Sequence, residues 1–212
     1  MRLLCIVDAL GQKALLAGLS LAVAGCNVLP VEEVEALRAR DRGEFDVAAY
    51  VAKVWPQRAV AEIRSRAVTV EALRTSPEAL GSRFGNRAGD GSPWTFAVRG
   101  DGIVRSVDRE SPRGRMAVDT SAGPVALQIG PVVSGSTIRD AMPSIVFNDF
   151  PDQISFAEVG MALTERSLIR LRTQISAVRP GDRIRFLGTA SVSESDGPLT
   201  LTPVEMVVGL AR

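Results

Sequence analysis

"GSRFGNRAGDGSPWTFAVRGDGIVRSVDRE", residues 81–110, holds the change on which the fold turns. Its first part, 81–94, packs four glycines, an asparagine and a proline into fourteen residues. No helix continues through such a stretch. From Trp94 the period becomes strand-like, so 94–110 reads as a strand pair or as one long strand bent around Gly100-Asp101-Gly102.

Downstream, "GRMAVDT" (114–120) reads as a strand, "SAGP" (121–124) as a turn and "VALQIGPVV" (125–133) as another strand. Residues 144–174 turn helical, with Phe156, Val159, Leu163 and Leu168 as expected core contacts. Pro180-Gly181 makes a turn. "DRIRFLGTASV" (182–192) and "LTLTPVEMVV" (199–208) then close the chain as two strands joined by "SESDGP". Three strands, a helical insertion and two strands is the order of an OB-type barrel.

Upstream of the glycine-rich junction the chain reads as helical. Asp46 stands where a helix cap belongs, and Val47, Tyr50, Val51, Val54 and Trp55 recur on one helical face. Pro56 starts a second segment or kinks the first. Ile63, Ala67 and Val70 continue an apolar face, and Ser76-Pro77 reads as a further helix start. Residues 32 to about 82 therefore form a helical arm or layer. The expected class is α+β: a small antiparallel OB-like β-barrel preceded by a helical layer.

Farther out, Ala14–Gly25 carries no charge. Twelve residues fall short of the roughly twenty that span a bilayer, but suit the apolar core of a secretory signal. Val23-Ala24-Gly25-Cys26 matches a bacterial lipobox. Small side chains admit the signal peptidase, and the Cys26 thiol is the nucleophile that takes the diacylglycerol. Several acyl chains on that residue make a stable anchor. Asp8 is unusual in a signal, and Cys5 has no evident role. Asn27, in place of the aspartate that retains lipoproteins at the inner membrane, favours the outer one. The expected division is a signal over 1–25, a tether and helical arm over 26–82, and an OB-like barrel over 83–212 with a helical insertion near 144–174.

Losing Arg2, Lys13 and Asp8 with the signal leaves 23 basic and 23 acidic residues of the original 25 and 24. That balance gives no reason to expect nucleic acid. Lys53 is the one lysine left. The chain has no histidine, and Cys26 is the sole cysteine after residue 25. These absences exclude an intramolecular disulfide, His/Cys zinc sites, and Ser-His-Asp or Cys-His catalysis in the mature chain. Carboxylate-only enzymology is not excluded. No cofactor or metal site is expected.

"RFGNRAGDGSPWTFAVR" (83–99) and "QIGPVVSGSTIRDAMPSIVFNDFPDQISFAE" (128–158) closely resemble one family, as do "AAYVAKVW" and "LTPVEMVV". It is a family of predicted periplasmic lipoproteins, domain of unknown function family 2291. Neither long motif departs from the family's pattern. The resemblance implies a small barrel of OB-like character and a role as an accessory encoded beside sugar-type ABC import systems.

Two stretches are candidate binding surfaces. The glycine-rich loop 85–93 offers backbone amides to an anion, with Arg83, Asn86, Arg87 and Trp94 around it, but lacks the Lys-Ser/Thr ending of a nucleotide loop. The competing reading is a connector with Trp94 plugging the core. The 139–158 segment offers Arg139, Asp140, Asn148, Asp149, Asp152, Gln153 and Glu158 among three phenylalanines, a composition suited to a sugar pocket or, more remotely, to glycosidase carboxylates. Its ligand spacing is too loose for a calcium loop. The competing reading makes Asn148 and Asp149 helix caps and the phenylalanines core. A ligand site is expected where the two stretches approach each other. Arg183 and Arg185 alternate with Ile184 and Phe186 as the solvated face of a strand. The functional expectation is a non-enzymatic, lipid-anchored binding or accessory protein of a sugar-type ABC importer, the alternative being a carboxylate-based enzyme acting on an envelope glycan.

Overall fold

Asp46 caps the first helix, α1 (Val47–Val54), its side chain accepting from the Ala49 amide at 2.8 Å. The computed structural model describes residues 45–87, 91–133, 135–192 and 198–209, so the signal, Cys26 and the start of the tether lie outside the described residues. Pro56 neither ends nor simply kinks the helix. It sits in a π-helical turn, Trp55–Ala59, that leads into α2 (Val60–Arg66). The wider turn absorbs the ring and the missing amide. A two-residue strand, β1 (Val68–Thr69), then interrupts the arm before α3 (Val70–Thr75), capped by Thr69, and α4 (Pro77–Phe84). Ser76 holds the N-cap position of α4 with Pro77 next to it, but its hydroxyl makes no capping bond.

The segment around Gly100-Asp101-Gly102 is one long strand, β2 (Trp94–Asp108). It pairs with β5 (Arg183–Val192) over residues 94–103 and with β3 (Arg115–Thr120) over residues 103–108. β3 turns back tightly into β4 (Gly123–Gln128). β6 (Leu199–Gly209) pairs with β5 and, over three residues, with β4. The pairings thus return to β2. The sheet is not wholly antiparallel as expected: β4–β6 and β1–β2 are parallel. A ring of five strands cannot alternate direction throughout, so one pair must run parallel, and here it is β4–β6.

Between β4 and β5 lie the short helix α5 (Thr137–Asp140), a 3-10 turn (Phe147–Asp149) and the long helix α6 (Gln153–Ala177). Pro151 and Asp152 delay the start of α6 to residue 153. Asp152 is its cap, accepting from the Ser155 amide at 2.7 Å, a bond that holds the Asp152 carboxyl below its ordinary range. Arg109 closes the other end, donating from Nη2 to the carbonyls of Ile175 (2.8 Å) and Val178.

Alternation along the strands splits the interior into two cores. Phe96, Val98, Met116, Val118, Leu127, Ile184, Phe186 and Leu201 point into the ring, each at most 2% exposed. On the outer face, Ala97, Leu187 and Val204 are covered by Trp55, Ile63, Ile138, Val159 and Leu163 from the helices. Each such large side chain contributes about 1.5–3 kcal/mol by burial. Of the expected α6 core contacts, Val159 and Leu163 are buried, while Phe156 and Leu168 are half-buried.

The close approach of β2 to β3 depends on Gly102. A Cβ there would stand 2.3 Å from the Asp119 carbonyl oxygen, a backbone atom of β3. Gly102→Ala must therefore force β2 and β3 apart, at an expected cost of about 1–3 kcal/mol. Urea denaturation measures it, and an unchanged midpoint would show that the contact tolerates a side chain.

Candidate functional site

The glycine-rich loop and the 139–158 segment do touch. Asn86 donates from its carboxamide to the Asp140 carbonyl at 2.8 Å, and its backbone exchanges hydrogen bonds with Thr95. Trp94 lies half-buried against the inner core, with the Arg87 guanidinium 4.4 Å above its ring. A Cβ on Gly81 would meet the indole at 2.5 Å, so this glycine makes room for it. Arg83 stacks on Phe84 at 4.9 Å.

Arg139 is committed to the fold. Its side chain is 11% exposed. It donates to Asp140 Oδ1 from Nε (2.9 Å) and Nη2 (2.6 Å), to Ser136 Oγ (2.8 Å) and to the Phe156 carbonyl (2.7 Å). The Phe156 ring centroid lies 3.8 Å from the guanidinium carbon. Asp140 completes the cluster by accepting from Ser136 at 2.6 Å. Asn148, Asp149 and Gln153 stand exposed on the 3-10 turn and at the start of α6. Asp149 faces Tyr50, whose hydroxyl is raised above the usual phenol range, first by burial and then by Asp149 and Glu62, with Arg58 opposing. Phe150 and Phe156 belong to a ring cluster with Phe45 and Tyr50, whereas Phe147 is half exposed at its margin.

A different surface has the concavity of a binding site. A cleft of about 720 Å³ opens on the outer face of β1, β2, β5 and β6, walled by α6. Strand register orders its residues. Thr69, Arg99, Leu187 and Glu205 form one row across the four strands. Asp101, Arg185 and Val207 form the next. Arg170, Leu171 and Gln174 face them from α6, and Arg64 reaches in from α2 to bind Glu205 at 2.6 Å.

The acids of this cleft are already engaged. Glu205 holds Arg64, and Asp101 meets Arg183 at 3.2 Å. Glu71 accepts from the Ser121 hydroxyl at 2.6 Å, which holds its carboxyl below the ordinary range. No residue of β3 or β4 lines the cleft. These are the second and third barrel strands, whose face binds oligonucleotides and oligosaccharides in OB folds.

Alternation with Ile184 and Phe186 places Arg185 on a solvated strand face, and Arg99 of β2 stands on the same face. One signal bears on both. Along β2 and β5 the outward positions change from Ala97 and Thr189 to Arg99, Asp101 and Arg185. That change marks where the helical cover ends.

Residues 16–207 match a family described as predicted periplasmic lipoprotein, domain of unknown function family 2291. The chain belongs to this family. Among solved structures it is similar to an OB-fold protein from Thermotoga maritima, at a TM-score of 0.59 and 16% identity, over 78% of this chain and 99% of that one. That likeness concerns the fold alone. It is also similar to an OBody bound to hen egg-white lysozyme, at a TM-score of 0.31 and 11% identity, over 56% of this chain and 81% of that one. No curated protein matches the chain. Among the described residues no helix is long and apolar enough to cross a membrane.

Proposed function

We propose that this protein is a non-enzymatic binding lipoprotein, held at the periplasmic side of a membrane by acyl chains on Cys26, that works as an accessory of a sugar-type ABC importer. The observation that carries the binding role is the cleft between the sheet and α6, with polar side chains around an apolar floor. Its carboxylates are held by Arg64, Arg183 and Ser121, and Glu71 is shifted away from the range of a proton donor at neutral pH. The importer role rests on the family resemblance of the long motifs, and Asn27 after the anchor favours the outer membrane over the inner.

The test is to solubilise membranes in mild detergent, recover the acylated protein and identify what accompanies it. Transporter subunits are the expected companions. Envelope glycan alone, trimmed in the presence of the protein, would replace this reading with that of a carboxylate-based enzyme.

A further inference from the structure

The arginines of the cleft are unequally employed. Arg64 is bound to Glu205. Arg99, Arg170 and Arg185 make no ion pair and no hydrogen bond among the described residues, although Asp101 stands directly across from Arg185 in the strand register. Asp101 is turned to Arg183 instead. Arg99 pairs with Leu187, so Arg185 is its diagonal neighbour on the same face, a separation of about 7–8 Å that long side chains readily close. Arg170 approaches from α6 on the opposite wall. Three elements thus bring guanidinium groups to one concavity whose acids Asp101 and Glu205 are turned to Arg183 and Arg64, so these three arginines are left for a negative charge that enters.

Gln174 and the cleft floor define the rest of a ligand. Gln174, on the α6 wall, has its Oε1 buried without a hydrogen-bond partner. Such an orphan acceptor carries a penalty of roughly 1–3 kcal/mol, which a donor brought by a ligand relieves. Thr69 is already engaged, accepting from the Ala72 amide at 3.2 Å and turning its hydroxyl to the Glu71 carboxylate. Leu187 and Val204, both at most 6% exposed on the outer face, give the floor an apolar character.

We infer that the cleft recognises a small hydroxylated anion: a carboxylate or phosphate held by Arg99, Arg170 and Arg185, on a carbon skeleton whose hydroxyls reach Gln174. This rests on the reading of the cleft as a ligand site and deepens it by naming the ligand's chemistry. Arginine suits the task because its planar donors match carboxylate and phosphate oxygens in pairs.

The test is calorimetric titration of the full acylated protein in detergent with D-glucuronate, D-glucose 6-phosphate and D-glucose. At least one of the two anions should bind about tenfold or more tightly than neutral glucose, and added salt should weaken it. Arg99→Ala and Arg185→Ala should each weaken that binding by about tenfold or more, the loss expected for a charge-assisted hydrogen bond. Arg113→Ala, outside the cleft, should leave it unchanged. A preference for glucuronate over glucose 6-phosphate identifies a carboxylate as the charge, and the reverse a phosphate. Three results overturn the inference: no binding of either anion up to about 10 mM, where even the weakest specific sites respond; glucose binding as tightly as the anions; or anion binding indifferent to both arginine variants. Glucose binding lost in Gln174→Ala would leave the binding-lipoprotein reading standing without the anion. Anion binding without transporter subunits would remove the importer role and leave this inference intact.

Discussion

Cys26→Ser is expected to carry no acyl label and to leave the washed membrane fraction. In the proposed anchor the sulfur is the atom that takes the diacylglycerol. A serine oxygen in its place is far less nucleophilic, because a hydroxyl supplies almost no anion at neutral pH whereas a thiol supplies a few per cent. Without the lipid, attachment would rest on the uncharged run Ala14–Gly25, twelve residues where a spanning helix needs roughly twenty. Stable anchoring takes more than one acyl chain, so the change is close to all or none. Metabolic labelling with a palmitate analogue reads the first effect, and fractionation after a carbonate wash reads the second. Equal labelling of variant and wild type would remove the anchor, and with it the membrane-side part of the proposed function.

The order of elements was legible because each boundary is chemically abrupt. Asp46 before an apolar stripe, the glycines before Trp94 and Pro180-Gly181 before Asp182 are local signals, and local signals survive folding. What escaped reading was set by partners distant in sequence. β1 is two residues long and exists because Val68 and Thr69 lie beside Val98 and Arg99. No periodicity can be seen in two residues. The parallel β4–β6 pair follows from closing a ring, which no single strand announces.

Sites suffer more from this than folds do. Alternation tells which strand residues point outward, not which outward residues become neighbours. Arg99 and Arg185 are 86 positions apart in the chain and diagonal in the sheet. Gln174 joins them only because α6 passes over that face. The stretch 139–158, by contrast, is dense in polar groups, and much of that density serves the fold. Asp152 caps α6, and Arg139 and Asp140 bond to each other and to Ser136. Composition alone does not separate a polar group aimed at a ligand from one aimed at the protein's own backbone.

Arg139→Ala puts that distinction to the test and is expected to destabilise the fold by about 3 kcal/mol, the low end for breaking a buried charged pair, since Asp140 still reaches water. The substitution removes four hydrogen bonds at once. It leaves the Phe156 carbonyl without that donor, and it takes away the cation stacked on the Phe156 ring at 3.8 Å. Because Ser136 and Asp140 lie on the α5 side of the α5–α6 contact and Phe156 on the α6 side, their common partner adds a polar tie to the apolar packing of Ile138 on Val159 and Leu163. For a domain of this size the loss corresponds to a melting point lower by roughly 6–12 °C. Arg139→Lys should recover only part of it, since an ammonium keeps the charge but cannot span the same set of acceptors. Asn148→Ala and Gln153→Ala, both exposed, should stay within about 0.5 kcal/mol of wild type. Thermal melts of the four variants decide the matter. Should Arg139→Ala melt with wild type while anion binding falls, the arginine would belong to a ligand site in the 139–158 segment and not to the scaffold that holds α5 against α6.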